Sequence, residues 1–239
     1  TDDKGRKWKG ERILKPGIRA SKNGIVVFGN FDEIWCRGKL PLNIKTKNIN
    51  LDFKGEYKVP FNVATHIDKT VGNKQVGVSS SRNVLEFTYK KNNFSISNEN
   101  QYLQVEIKSK EKKLSDNFET RVSESLQFAM GHVMSWSKKT KIYRKTGQIA
   151  LRTNLQKSLK GVEPPISGAI GNDKDFCNLF SCYMNYVSSS NETTYHPISS
   201  RVRSVALASS VNVETLALVL SVSVESILPY TKITNALSK

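Results

Sequence analysis

The chain has 239 residues, enough for one large domain or two small ones that each bury a core, and its 38% hydrophobic content lies below a typical compact globular protein but well above a disordered one. It carries 37 Lys/Arg against 21 Asp/Glu, a formal net charge of +16, which points to a polyanionic partner. Three cysteines (Cys36, Cys177, Cys182) and three widely spaced histidines (His66, His132, His196) exclude a disulfide framework and a zinc site, and free thiols fit a reducing, cytoplasmic setting.

Residues 1–4 show neither an initiator Met nor an apolar core, so they read as neither a signal peptide nor a native start, and the first twenty or so residues read as a loose lead-in. From about Gly24 to Lys108, short β-rich runs alternate with Gly, Asn, Lys and Ser clusters. Residues 24–29 form an apolar run between two glycines, as a buried strand would. Ile44, Thr46 and Asn48, then Ile49, Leu51 and Phe53, alternate with a slip of phase between them, which predicts a bent or bulged strand. Residues 84–89 and 94–96 flank Lys90-Lys91-Asn92-Asn93 as a hairpin would, and residues 102–108 alternate again, with Leu103, Val105 and Ile107 on one face. The period then lengthens. Asp116 with Glu119 makes a capping box for a helix carrying Phe118, Val122, Leu126, Ala129 and Met130, and Gly131 is placed to end it. Residues 133–136 and 141–151 return to strand character around a turn at Thr146-Gly147. Residues 163–165 and the glycines near Ile170 read as a boundary loop.

Three helices complete the chain. Asp173 caps the first, with a Phe176, Phe180, Tyr183 and Val187 stripe. Pro197 opens the second, and Asn212 caps a third that carries Leu216, Leu220 and Val224 and stops at Pro229. The predicted fold class is α+β: a β-rich antiparallel domain at 1–113 (sandwich or open barrel), a linking helix and β-hairpin at 114–160, and a small helical unit at 161–239. Charge follows this division. Residues 1–113 hold a net +11 and residues 114–160 a net +6, whereas residues 161–239 hold a net −1.

Catalytic templates fail: there is no phosphate-cradling Gly-rich loop, nucleophile elbow or zinc-protease motif, and the adjacent acids Asp2-Asp3 and Asp32-Glu33 lie among lysines. His196, just before Pro197, reads as a cap, and His132, just after Gly131, as structural. No catalytic residue and no cofactor is expected. The nucleic-acid reading rests on Lys138, Lys139, Lys141, Arg144 and Lys145 around Tyr143, where cations track phosphates and the ring offers a stacking face. Lys108, Lys110, Lys112 and Lys113 form a second patch, and a solvated hairpin tip and charged linker are the plain alternatives for the two. Lys outnumbers Arg, which favours phosphate attraction of low sequence specificity over base readout. The apolar helix through Leu216, Leu220 and Val224 predicts an interface, either with a second copy or with a further C-terminal domain. Its apolar run is about half the ~20 residues a bilayer needs, so no membrane association is expected.

Two stretches carry a resemblance. RVSESLQFAMGHVMSW at residues 121–136, and His196-Pro197-Ile198 with VETLALVLSVSVESIL at residues 213–228, resemble elements of ApeA-like abortive-infection defence proteins, in which a β-rich region precedes a helical HEPN domain. The resemblance implies a sensor or regulatory region of a prokaryotic anti-phage protein that binds RNA or a phage component. HEPN ribonucleases carry an Arg followed four to six residues later by a His. The nearest step here, Arg121 to His132, is eleven residues long. The resemblance therefore implies a non-catalytic region, with any HEPN ribonuclease domain beyond residue 239. A divergent nuclease subunit and a purely structural interaction module are the alternatives.

Overall fold

The computed structural model describes residues 7–21, 24–71, 74–99, 101–111, 114–152, 163–169, 171–190, 194–209 and 211–227. In chain order the elements are β1 (Lys9–Ser21), β2 (Gly24–Lys54), β3 (Val63–Val71), β4 (Lys74–Tyr89), β5 (Asn92–Glu99), β6 (Tyr102–Ser109), α1 (Phe118–Met130), β7 (Trp136–Leu151), α2 (Asp173–Ser188), α3 (Pro197–Ala208) and α4 (Val213–Ile227). They form a mixed α+β chain with two compact units. The strand unit holds residues 1–57, 61–113 and 135–156, and the helical unit holds residues 58–60, 114–134 and 157–239. The segment expected to link two domains is thus divided, with α1 in the helical unit and β7 in the strand unit. Among the described residues no helix is long and apolar enough to cross a membrane.

The strand unit is one antiparallel sheet in the order β1-β2-β6-β5-β4-β3, with β7 also paired to β2. Its core follows from alternation. Ile49, Leu51 and Phe53 of β2 pair with Ile107, Val105 and Leu103 of β6, which pair onward with Phe94 and Ile96 of β5 and then Leu85 of β4. Partners in a ladder share a face, and every one of these side chains is buried. Phe87 stacks on Phe94 at 4.9 Å between ring centroids. Lys90, at φ 54°, turns the predicted β4–β5 hairpin between the Tyr89↔Asn92 pair.

Three expectations change in this unit. The lead-in is largely strand: β1 pairs with β2 from Lys9↔Trp35 to Ser21↔Gly24. The separate early strands are one 31-residue strand, β2, with β7 paired along much of it. The expected second hairpin is a single strand, because β7 runs through Thr146-Gly147 and pairs with β2 rather than with itself. Turn chemistry there marks a kink, a bulge-like break in register, instead of a reversal. Arg144 adopts φ 54°, and the Thr146 hydroxyl donates to the Tyr143 carbonyl at 2.8 Å. The register slips opposite, between Lys39 and Ile44, where Pro41 has no N–H to give a ladder.

In the helical unit α1 packs against α2 and α3, and α3 against α4. α1 starts after Asn117 rather than through an Asp116 cap, and no side chain caps it. Gly131, at φ 64°, ends it as its sequence position predicts. Pro197 stands in the first turn of α3, where the His196 side chain caps by accepting the Ile198 N–H at 3.2 Å. Asn212 caps α4 by accepting the Thr215 N–H at 2.7 Å. Leu228 and Pro229 lie outside the described residues.

A candidate polyanion-binding surface on the long strand pair

No Asp or Glu occurs between Glu33 and Asp52, or between Glu124 and Glu163. The fold pairs these two acid-free runs. Arg37↔Gln148, Lys39↔Thr146, Ile44↔Arg144, Ile49↔Lys141 and Leu51↔Lys139 stand side by side on β2 and β7. Residues 35–51 bring Arg37, Lys39, Lys45 and Lys47, and residues 137–151 bring Lys138, Lys139, Lys141, Arg144 and Lys145, to one strand pair. Acids from neighbouring positions, Asp52 and Glu33, answer Lys138 and Lys139 of this set.

The kink sets the centre of this surface. Tyr143 is half-buried, with Lys47 Nζ and Arg144 Cζ each 5.1 Å from its ring centroid. Arg37, Lys39, Arg144 and Lys145 are exposed, and Lys47 and Lys141 are half-buried. Trp35, on the same strand, has Lys9 Nζ at 5.5 Å and Arg37 Cζ at 5.2 Å from its ring. Each ring stabilises nearby cations through its quadrupole and holds them at the surface.

Lys138 and Lys139, also expected to meet phosphate, pair with acids of the strand unit. Lys138 pairs with Asp52 at 3.3 Å. Lys139 is only 14% exposed, lies 4.5 Å above the Trp136 ring and pairs with Glu33 at 3.6 Å. Arg152, absent from the sequence reading, completes this cluster. It sits 3.7 Å from the Trp136 centroid and donates to Glu33 at 3.1 Å, while its backbone N–H donates to the Ser137 carbonyl at 2.8 Å. Lys138 and Lys139 thus pair with acids at the base of the strand pair, and Arg37, Lys39, Arg144 and Lys145 are the exposed cations near the kink.

Of the second patch, Lys108 and Lys110 lie among the described residues. Lys110 is exposed, and its N–H donates to the Lys91 carbonyl at 3.0 Å, so it joins Lys90, Lys91 and Lys108 at the β4–β5 turn. Lys108 is paired with Glu106 at 3.3 Å. Lys112 and Lys113 lie outside the described residues. Sequence reading missed Arg37, Lys39 and Lys47 because they are remote in the chain from Tyr143. The long acid-free run around them was the available signal.

The expected interface residues lie on α4, with Leu216 half-buried, Leu220 41% exposed and Val224 57% exposed. The helical unit also buries a polar network that periodicity did not reveal. Arg121 and Glu124 pair at 2.8 Å, the His196 N–H donates to Glu124 Oε1, Ser199 bonds to Glu124, and the Tyr183 hydroxyl meets Ser199 Oγ at 2.8 Å. Burial pushes the Glu124 carboxyl above its ordinary range despite Arg121, and it raises Tyr183 to about 12. His196 is buried as the α3 cap, and His132 Nδ1 lies 2.6 Å from the Met130 carbonyl. Among the described residues no group of three His, Cys, Asp or Glu could hold a metal ion. No family model, curated protein or solved structure matches the chain.

Proposed function

We propose that the chain is a binding and regulatory region, whose strand unit engages nucleic acid through phosphate contacts from Arg37, Lys39, Lys47, Arg144 and Lys145. The observation that carries this reading is the register of β2 with β7, which sets two acid-free basic runs side by side around Tyr143. Single-stranded RNA is the favoured form, since an unpaired base can stack on an aromatic ring while lysines and arginines follow the backbone. The resemblance of residues 121–136, 196–198 and 213–228 to abortive-infection proteins supports a role in anti-phage defence, in which ligand binding is the event sensed. Titration of labelled single-stranded RNA at two salt concentrations tests this. Binding that weakens steeply with salt and little with sequence supports the reading. Salt-independent binding, or RNA cleavage that survives further purification, counts against it in favour of a divergent nuclease.

A further inference from the structure

α4 is mostly apolar apart from a side bearing Glu214, Ser221 and Glu225, yet the described residues of the helical unit cover only part of it. Leu216, Val219, Ser223 and Ser226 are buried or half-buried, and α3 is the helix packed against α4. Val213, Leu218, Leu220, Val222 and Val224 remain 78%, 66%, 41%, 46% and 57% exposed. Proteins seldom leave such a patch to water, and a contiguous exposed apolar patch marks a contact. Val213, Ala217, Leu220 and Val224 follow the four-three-four spacing that places side chains along one helix–helix seam.

That seam borders a groove of about 290 Å³, with Leu220 and Val224 on one side and Phe128, Val202, Val205 and Ala206 among its other walls. Its polar lining includes Arg201 and Arg203 from α3, and Glu163. Arg201 is exposed, whereas Arg203 donates to Gln127 at 3.2 Å. The best complement to an apolar groove edged by arginine is an apolar, acidic helix. α4 is such a helix: it bears Glu214 and Glu225, and no basic residue occurs between Arg203 and Lys232.

We infer that two copies of the chain pair through α4, each laying its Val213, Ala217, Leu220 and Val224 seam along the other's groove, with Glu214 or Glu225 reaching the opposite Arg201. The contact is self-complementary, so a two-fold axis closes it as a dimer. This inference does not depend on the nucleic-acid reading.

Sedimentation equilibrium on the full chain tests it, with circular dichroism to verify folding. A dimer is expected. Arg201→Glu alone, and Glu214→Arg with Glu225→Arg, should each weaken self-association by about tenfold, because each sets like charges face to face. An equimolar mixture of the two variants should regain wild-type affinity, since the mixed dimer carries one charge pair in reverse and the other as in the wild type. Val224→Asp should be monomeric with unchanged helix content. A wild-type chain that stays monomeric or grows beyond dimers would overturn the inference, and so would a mixture that fails to recover affinity.

Discussion

Arg121 and Glu124, one turn apart on α1, form an ion pair at 2.8 Å with neither side chain exposed to solvent. Glu124 also accepts the His196 N–H, so the pair joins the middle of α1 to the start of α3 across 72 residues of sequence. Removing one partner of a buried pair strands the other charge. Arg121→Met should therefore destabilise the helical unit by about 3–5 kcal/mol, read as a lower urea midpoint at unchanged m-value. An unaltered midpoint would show that water reaches Glu124.

The same carboxyl gives a pH signature. Its folded pKa lies above the ordinary 4.5 because burial outweighs the pull of Arg121. The folded state therefore holds the proton more firmly than the unfolded chain does. Its contribution to stability is complete below the unfolded value and is lost as pH rises through the folded one. The stability of the wild type relative to Glu124→Gln should fall as pH climbs from the ordinary Glu range. A difference independent of pH would refute this.

Much of the fold was legible because local chemistry and tertiary structure agree. Gly131, Pro197 and Asn212 mark helix ends through backbone requirements that packing does not override. Residues 49–53, 84–96 and 103–107 alternate because one face of their sheet is buried. The expected α1 stripe through Phe118, Val122 and Leu126 is present, but Glu119, Arg121, Ser123, Glu124 and Ser125 are buried too. A helix enclosed on several sides with polar partners has no solvent face for periodicity to reveal. β7 was misread at Thr146-Gly147 because a left-handed residue and turn-forming neighbours serve a kink as well as a reversal. The partner of a strand is a long-range choice, so the joining of Arg37 and Lys39 to the Tyr143 cluster left no local trace beyond missing acids.

Cys177 reports on α2. Burial, reinforced by the nearby Asp173 charge, raises its thiol to about 11, while Cys182 is exposed on the same helix. Only about a thousandth of Cys177 is thiolate near pH 8, and the thiolate is the reactive form. Iodoacetamide should modify Cys182 first, and Cys177 should speed up about tenfold per pH unit until near its pKa. Equal rates at the two sites, measured by peptide mass spectrometry, would contradict the packing of this helix.

The nucleic-acid surface is tested most directly by the salt dependence of affinity in two variants. Fluorescence anisotropy of a labelled single-stranded RNA should give a log–log slope of roughly −0.7 per neutralised phosphate. Lys39→Gln with Arg144→Gln and Lys145→Gln should weaken binding and flatten that slope by about 2, the share of three lost contacts. Lys138→Gln with Lys139→Gln should leave the slope unchanged, because these side chains answer Asp52 and Glu33 rather than phosphate. The opposite pattern, an unchanged slope in the kink variant and a flattened one in the base variant, would contradict the assignment.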